Sequence, residues 1–543
     1  MVDHDSVVKL MTALRRPLGD VKTPSLRQKQ IDLSCSCYRF RDATLLLVLL
    51  SDGVHCFKML TLALITAAVS IAVFYVFKRD CRFVPISTTI LYRIQRFLSS
   101  PSSEHEYKIL YDLKTPSKAV KSRSLLHPVY VLRDPSLIKN VLVRDFEYFT
   151  DRQHRRNSGE LFDLDGEEWR TARRKLLPVF SPEPLEEMFK YFTANLGTLI
   201  TKISRGLGGA ADVGRPVETS VADIMSLAVF GLEITIGKKK DEFTKKALSI
   251  IETGFFQSIK ASLFGPGPSR STEKYFNGFL RKKLQSSGSN DFINLMRRTA
   301  EKVEGESEIF HPNQFFDEEF PDTPLDGKAV QITEEFLSAQ VFQFFTSGLQ
   351  PIASAVTFAL YDLSTTSPDA QTKMRNEITS SITKNGGYNY DAVREMIFLD
   401  RCVHESLRLH PVVHSINRIC TKDYESEGTK FLRGETVVVP ILGLHMDERH
   451  FQDPEQFRPE RFGGSEPRNP FYMPFGGGPR KCVGAYFTLL AIKVILAKLV
   501  QQFTFSLSEQ SISKSPHKYH GPFIIPNDIK FNVSYASRPS ILS

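Results

Sequence analysis

The stretch PFGGGPRKCVGAYFTLLAIKVILAKLVQQF, from Pro474 to Phe503, constrains the fold of this chain more than any other. Three consecutive glycines and two prolines force a tight irregular loop, Cys482 follows, and an apolar run of about five helical turns then begins. This order predicts a cysteine at a helix N-terminus, where free N–H groups and the positive dipole end favour the thiolate, the form that binds metal. A cysteine so placed is a candidate nucleophile, metal ligand or filler. Phosphate binding fits the loop poorly: a P-loop needs Gly-Lys-Ser/Thr after its spacer, and a dinucleotide loop needs glycine where Lys481 stands. Three glycines let the backbone approach something flat and bulky, and Arg480 can pair with an anionic group beside it.

The rest of the chain offers no competing metal motif. Its seven cysteines, at 35, 37, 56, 81, 402, 420 and 482, form no C-x-x-C pair, and their odd number argues against a disulfide framework; the body is expected to face a reducing compartment. Among thirteen histidines, His445 and His450 stand five apart in HMDERH, off the spacing of two ligands on one helix face, and read as structural. The formal net charge of +9 suits a membrane surface or an acidic partner, and no basic block of the nucleic-acid-arm type occurs. With 543 residues the chain can bury a large core, and 41 phenylalanines point to an apolar interior surface.

Residues 59–77, MLTLALITAAVSIAVFYVF, contain no charge, glycine or proline. As a helix they span about 28 Å, close to the hydrocarbon thickness of a bilayer, so one transmembrane helix is expected there. Lys78, Arg79, Arg82, Arg93 and Arg96 follow it, against Lys58 alone in front, which places the remaining chain in the cytosol. Residues 1–58 mix basic residues with six aspartates around the short apolar run ATLLLVLL, unlike a mitochondrial presequence. Met59 stands where a signal-anchor protein would start, so this extension is expected to be disordered or absent from the mature protein.

Residues 78–124 read as a linker and the start of the body, and 125–543 as a single large domain. Amphipathic helical stretches dominate from about 134, broken at RGLGGAADVGRP, FGPGPSRS, LQSSGSN and PNQFFDEEFPDTPLDG, while HPVYVLR and ETVVVPI read as short strands. The expected class is mainly α with small β-sheets (α+β), without internal repeats.

The pattern F-x-x-G-x-R-x-C-x-G, carried by Phe475, Gly478, Arg480, Cys482 and Gly484, resembles the haem-binding loop of the cytochrome P-450 family, whose iron is held by a cysteine thiolate. The resemblance covers about residues 125–540 and implies the cytochrome P-450 fold, haem b (iron protoporphyrin) as cofactor and Cys482 as its axial iron ligand. ESLR sets Glu405 and Arg408 three apart on one helix face, and with Arg461 of FRPERF they are similar to the buried ion network of that family. Trp169, the only tryptophan, and Arg173 in WRTAR resemble a pair that contacts a haem propionate, and Arg418 in SINRIC resembles another such contact. The anchor fits the microsomal animal type of the endoplasmic reticulum membrane; VRDFEYFTDR and CTKDY are similar to the insect xenobiotic-metabolising branch. The partners implied are NADPH–cytochrome P-450 reductase, cytochrome b5 as a further candidate donor, and a lipophilic small molecule. The reductase is expected on the side near Cys482, where Arg458, Arg461, Arg468 and Lys481 place positive charge.

One helix departs from the family pattern. AQVFQFFTSGLQPIASAVTFALYDLS aligns with the family's distal helix, where an alanine–glycine pair is followed after one residue by an acid and a threonine; the corresponding residues are Ser347, Gly348, Gln350 and Pro351. Reductive activation of dioxygen takes protons, which an acid and a hydroxyl normally deliver through organised water. Gln350 can orient water but cannot titrate, and Pro351 has no N–H. Thr346 and Ser347 are candidate replacement hydroxyls, unless they bond back to their own helix. Phe342, Phe344 and Phe345 cannot all face one side; some are expected to line an apolar cavity and the others to join the core.

The expected protein is a membrane-anchored haem-thiolate monooxygenase that oxidises xenobiotics, hormones or lipids. The missing acid–threonine pair leaves open an isomerase or dehydratase that does not activate dioxygen, and a non-catalytic haem-binding protein is the remaining alternative.

Overall fold

In a computed structural model, the structure describes residues 104–536, apart from 114, 125–126, 153–158, 232–332 (where short helical pieces within 242–247, 274–280 and 292–296 are described), 367, 464–468, 512–514 and 521–522. The expected extension (1–58), membrane helix (59–77), first part of the linker, Arg468 and the three later Gly/Pro/Ser breaks lie outside the described residues. The described residues belong to one compact unit, Arg96–Ser543.

Its helices are α1 (Glu104–Asp112), α2 (Pro135–Lys139), α3 (Gly166–Leu176), α4 (Pro182–Thr193), α5 (Leu196–Ser204), α6 (Gly214–Phe230), α7 (Glu334–Thr366), α8 (Pro368–Lys384), α9 (Tyr390–Arg394), α10 (Ile397–Leu409), α11 (Ile441–His445) and α12 (Ala485–Gln502). The strands are β1 (Ala119–Ser124), β2 (His127–Leu132), β3 (Ala210–Ala211), β4 (Ile416–Ile419), β5 (Tyr424–Ser426), β6 (Thr429–Phe431), β7 (Thr436–Val439), β8 (Phe503–Leu507), β9 (His517–His520), β10 (Phe523–Pro526) and β11 (Phe531–Tyr535). Both expected strands are present, as β2 and β7. They pair in parallel, Val129 opposite Thr436, inside a four-stranded sheet of order β1-β2-β7-β4; the other sheets, β3-β11-β8, β10-β9 and β5-β6, are smaller. The architecture is therefore mainly α with small sheets, as the sequence implies.

Helix α7 is 33 residues long, roughly 50 Å at 1.5 Å per residue, and forms the spine of the body, packed by α6 on one side and α12 on another. Helix α12 owes its central place to its composition: Leu489, Ala491, Ile492, Val494, Ile495, Leu496, Leu499 and Val500 are all buried, so apolar side chains are needed all round it. Among the described residues it is the one helix long and apolar enough to cross a membrane by length and composition, but those side chains form part of the core. Its single buried lysine, Lys493, meets Asp400 Oδ1 at 3.2 Å.

Helix ends are closed by side chains from neighbouring helices. Glu377 of α8 accepts from the first N–H groups of α10, Phe398 at 2.6 Å and Leu399 at 2.9 Å, where a carboxylate also meets the positive helix end. Arg375, also on α8, donates to the Val500 and Phe503 carbonyls at the C-terminal end of α12. These bonds tie the start of α10 and the C-terminal end of α12 to α8.

Candidate functional site

The loop before α12 is shaped by two glycines in the left-handed region, Gly476 at φ +80° and Gly478 at φ +68°. A Cβ on Gly478 would collide with the Leu142 carbonyl, so the loop can lie against that backbone only with glycine there. Cys482 N–H donates to the Phe475 carbonyl at 2.9 Å and Lys481 N–H to the Gly478 carbonyl at 2.9 Å, which fixes where the thiol emerges. The Phe475 side chain packs against the core, and Gly484 is the N-cap of α12, two residues past the cysteine. A Cβ on Gly484 would lie 3.3 Å from the Phe344 ring of α7, so the spine helix comes down onto the cysteine end of α12.

The Cys482 thiol is accessible yet ringed by protein, and its pKa is pushed up. Burial is the dominant cause; the Gly484 N–H, Arg173 and Arg152 pull the other way without overcoming it. The expected help to the thiolate from the helix N-terminus is therefore present but insufficient by itself, because desolvation of the anion outweighs it. A metal cation at the sulfur would supply the missing charge.

Around this thiol stand four guanidinium groups, those of Arg173, Arg418 and Arg480 buried and that of Arg152 half-buried. Arg480 stacks over the Trp169 ring with its carbon 4.4 Å from the centroid, and Arg173 lies 5.9 Å from the same ring. Arg480 Nη2 donates to the Leu164 carbonyl and stands 3.4 Å from Asp165 Oδ1, while Arg152 Nη2 donates to the Arg480 carbonyl at 3.0 Å. Arg418, on β4, is 1% exposed and feels chiefly burial and the charges of Arg152, Arg480 and Arg173, which together hold its pKa well below the usual arginine value. Burial likewise brings Arg152 and Arg173 to about 10 and Arg480 to about 9.

So much like charge in one desolvated place calls for anions. Arg418 Nε and Arg480 Nε and Nη1 are enclosed without a hydrogen-bond partner. A planar group bearing two carboxylates and a metal that accepts a thiolate would satisfy both the cations and the sulfur, so these residues fit haem b.

The second constellation is the ion network. Arg408 donates to both Glu405 oxygens, Nε to Oε2 at 2.8 Å and Nη2 to Oε1 at 2.9 Å, and Arg461 Nε reaches Oε1 at 3.0 Å. The Arg458 N–H adds a fourth bond to the Glu405 carboxylate, the third to Oε1, at 2.9 Å. Glu405 and Arg408 are fully buried, and Arg408 Nη1 also donates to the His445 carbonyl at 2.8 Å. His445 ties this network to the cysteine loop: Nδ1 donates to the Arg408 carbonyl at 3.1 Å and Nε2 accepts from the Met473 N–H at 2.9 Å. Burial, with help from Arg408, lowers its pKa to about 3, so it is a neutral structural histidine, as its spacing implies.

The distal stretch of α7 departs from the family pattern in structure as in sequence. Gln350 is buried and its Nε2 donates to Ser354 Oγ at 2.8 Å; Pro351 sits inside the helix. Thr346 Oγ1 and Ser347 Oγ both donate back to the Gln343 carbonyl, at 3.1 and 2.6 Å, so neither takes the place of the absent threonine. Gly348 faces α6: a Cβ there would stand 2.6 Å from Met225 Cε. Phe342 and Phe345 join Phe276 in an aromatic cluster that extends from Phe345 to Phe230 and Phe243; Phe344 stacks on Phe292 and meets Phe180 and Phe487 near the cysteine loop.

Of the cations expected to face a redox partner, Arg461 is committed to Glu405, Arg458 meets Asp453 at 3.0 Å, and Lys481 is half-buried. The sequence reading did not single out Arg152 or Gln340. Arg152 closes FTDR and looks like any surface arginine in the sequence. Gln340 on α7 clamps the loop that carries Leu164 and Asp165, Nε2 donating to the Gly159 carbonyl at 2.7 Å and Oε1 accepting from Leu161 N–H at 2.8 Å. A glutamine in an apolar helix run is its only signal.

A helix-rich body that presents a cysteine thiol to a nest of buried cations has the design of a haem-thiolate protein. Residues 94–533 match the cytochrome P450 family. The chain is 30% identical over 420 residues to Cytochrome P450 3A41 of Mus musculus, covering 71% of this chain and 78% of that protein. It is 27% identical over 441 residues to Probable cytochrome P450 6d5 of Drosophila melanogaster (74% and 84%), and 30% identical over 422 residues to Lithocholate 6-beta-hydroxylase of Mesocricetus auratus (71% and 78%). The chain belongs to the cytochrome P450 family and is a haem b-binding monooxygenase.

Proposed function

We propose that this enzyme oxidises lipophilic small molecules (xenobiotics, hormones or lipids) with dioxygen and electrons passed from NADPH through a diflavin reductase, cytochrome b5 being a second donor. It is proposed to act at the endoplasmic reticulum membrane, held by residues 59–77, with residues 125–543 as the catalytic domain in the cytosol. The insect and mammalian relatives support this class, one of them acting on lithocholate by name.

Cys482 would hold the haem iron through its sulfur, on the loop shaped by Phe475, Gly478 and Gly484, and Arg173, Arg418 and Arg480 would bind the propionates beside Trp169. The haem, once bound, supplies the electron and dioxygen chemistry that no side chain here provides. Glu405, Arg408 and Arg461 hold the loop's surroundings through His445 and Met473. Gly348, Gln350 and Pro351 are proposed for the oxygen-handling side; Gln350, whose Nε2 donates to Ser354 Oγ, can hydrogen-bond there but cannot give up a proton as an acid would.

The observation that carries this reading is the Cys482 thiol set among buried, under-compensated guanidinium groups. Its test is the spectrum of the reduced carbon monoxide complex: Cys482→Ala should lose the thiolate-type band, and an unchanged band would mean the ligand is another residue. Reconstitution with NADPH and reductase over a panel of lipophilic compounds, with product and peroxide measured together, tests the reaction.

A further inference from the structure

Tyr472 opens the loop that ends in Cys482, and His404 of α10 holds it twice. The Tyr472 hydroxyl donates to the His404 carbonyl at 3.0 Å and stands 2.7 Å from His404 Nδ1. A hydroxyl has one proton; given to the carbonyl, it leaves Nδ1 as the donor to the phenol oxygen. The imidazole is 1% exposed, and its other nitrogen, Nε2, lies 3.5 Å from Asp400 Oδ2, one turn earlier on α10. Asp400 Oδ1 in turn meets Lys493 Nζ at 3.2 Å, about two turns into α12. These contacts close a ring that runs from Cys482 along α12 to Lys493, across Asp400 and His404 to Tyr472, and back along the loop to Cys482.

The Tyr472 ring is fixed as firmly as its hydroxyl, 4.7 Å from the Phe462 ring and stacked on His445 at 5.5 Å. The next residue, Met473, donates its N–H to His445 Nε2, and its carbonyl accepts from Gly476 N–H at the loop's first turn. Two consecutive residues at the loop entry are therefore gripped by two histidines from different helices. The His445 grip belongs to the Glu405–Arg408 network; the His404 grip runs separately, to Asp400 and Lys493.

We infer that Asp400 and His404 brace both arms of the cysteine loop, and that His404 is the positioning residue that fixes, through Tyr472, where the Cys482 sulfur emerges. The loop is entered at Tyr472 and left through α12, and one turn of α10 holds both ends, so slack at either end moves the sulfur. This inference rests on the proposed reading of Cys482 as the group that holds the haem iron, because a displaced sulfur matters only to a bound metal.

The test uses the full-chain, haem-loaded enzyme and follows the rate at which the thiolate-type band of the reduced carbon monoxide complex is lost, beside the urea midpoint of each variant. His404→Phe keeps a ring and removes both nitrogens, Tyr472→Phe removes the hydroxyl alone, and His404→Asn puts an amide nitrogen close to the place of Nδ1 without reaching Asp400. Each phenylalanine variant should lose the band about tenfold faster than the wild type, the scale of one buried hydrogen bond. The double variant should fall well short of the roughly hundredfold product, because the two changes remove one shared bond. His404→Asn should come back to within about threefold of the wild type. The inference is overturned by an unchanged rate in His404→Phe, by a full product in the double variant, by an asparagine variant as fast as the phenylalanine one, or by a lower urea midpoint with no quicker loss of the band. Should His404→Phe not fold, Tyr472→Phe, which deletes a single oxygen, takes its place, and an unchanged rate there overturns the inference equally. A thiolate-type band that survives Cys482→Ala refutes the proposed function; a band that needs Cys482 but is indifferent to His404 and Tyr472 refutes this inference alone.

Discussion

Replacing Arg418 by methionine should change two stabilities in opposite directions. Arg418 is 1% exposed, its Nη1 donates to the Asn417 carbonyl at 2.8 Å, its Nε has no partner among the described residues, and the charges acting on it are three other arginines. Its charged form is destabilised by burial first and by cation repulsion second. Exchanging such a buried ion for an apolar side chain of similar length is commonly neutral or stabilising by about 1–4 kcal/mol. With haem bound the sign reverses: a carboxylate that accepts from the guanidinium makes a charge-assisted bond worth about 1.5–3 kcal/mol, a loss of roughly 10- to 150-fold in haem affinity when the arginine is removed. Urea unfolding of the haem-free protein, followed by circular dichroism, should show Arg418→Met at least as stable as the wild type. Haem titration at the Soret band should show the weaker binding. A parallel fall in both quantities would refute the reasoning, since Arg418 would then be stabilising the fold and not waiting for an anion.

Gly478→Ala combines left-handed strain of about 1–3 kcal/mol with a clash on the Leu142 carbonyl, and should lower both the melting temperature and haem content; a variant with wild-type haem content would show that the loop does not press on that backbone. Glu405→Gln strips the charge that faces Arg408 and Arg461 and should cost about 3–5 kcal/mol in urea unfolding; a loss under about 1 kcal/mol would mean the network is dispensable. His445 predicts acid sensitivity. Its folded pKa of about 3 lies below the unfolded 6.5, so the unfolded chain takes up the proton first, and this contribution is complete above about pH 6.5 and is lost as pH falls toward about 3. In urea midpoints measured between pH 7 and 5, His445→Gln should show a shallower decline than the wild type; equal slopes would mean that another group sets the acid limit.

Much of the proximal half was legible in the sequence, because its chemistry depends on short fixed spacings. Gly478, Arg480, Cys482 and Gly484 act through one loop, and Glu405 with Arg408 through one helix turn, so order along the chain already gives geometry. Arg461 was legible through its own motif. Arg152 and Gln340 were not, since each acts across a long sequence separation: Arg152 reaches the Arg480 carbonyl, and Gln340 reaches a loop some 180 residues earlier. The ends of α10 and α12 are similar, closed by Glu377 and Arg375 of α8 through bonds that no local pattern announces.

The distal stretch of α7 shows a different limit. Its departure from the family is plain in the letters, but whether a nearby hydroxyl compensates depends on where each side chain donates. Two of the three hydroxyls within a turn of Gln350 or Pro351, those of Thr346 and Ser347, turn back to one carbonyl of their own helix, while Ser354 engages the glutamine amide instead. On the proposed function, the haem-binding and oxygen-handling sides of this enzyme therefore separate physically. The cations and thiol proposed to hold the cofactor are tied to α7 through Gln340 and not through Gln350 or Pro351, so substitutions at Gln350 or Pro351 can alter the coupling of electron use to product while leaving haem binding untouched. Gln350→Glu combined with Pro351→Thr should raise the ratio of product to peroxide without moving the carbon monoxide spectrum, within the roughly 10²–10⁴-fold reach of general acid–base help. A shifted spectrum would show that the two sides are not independent.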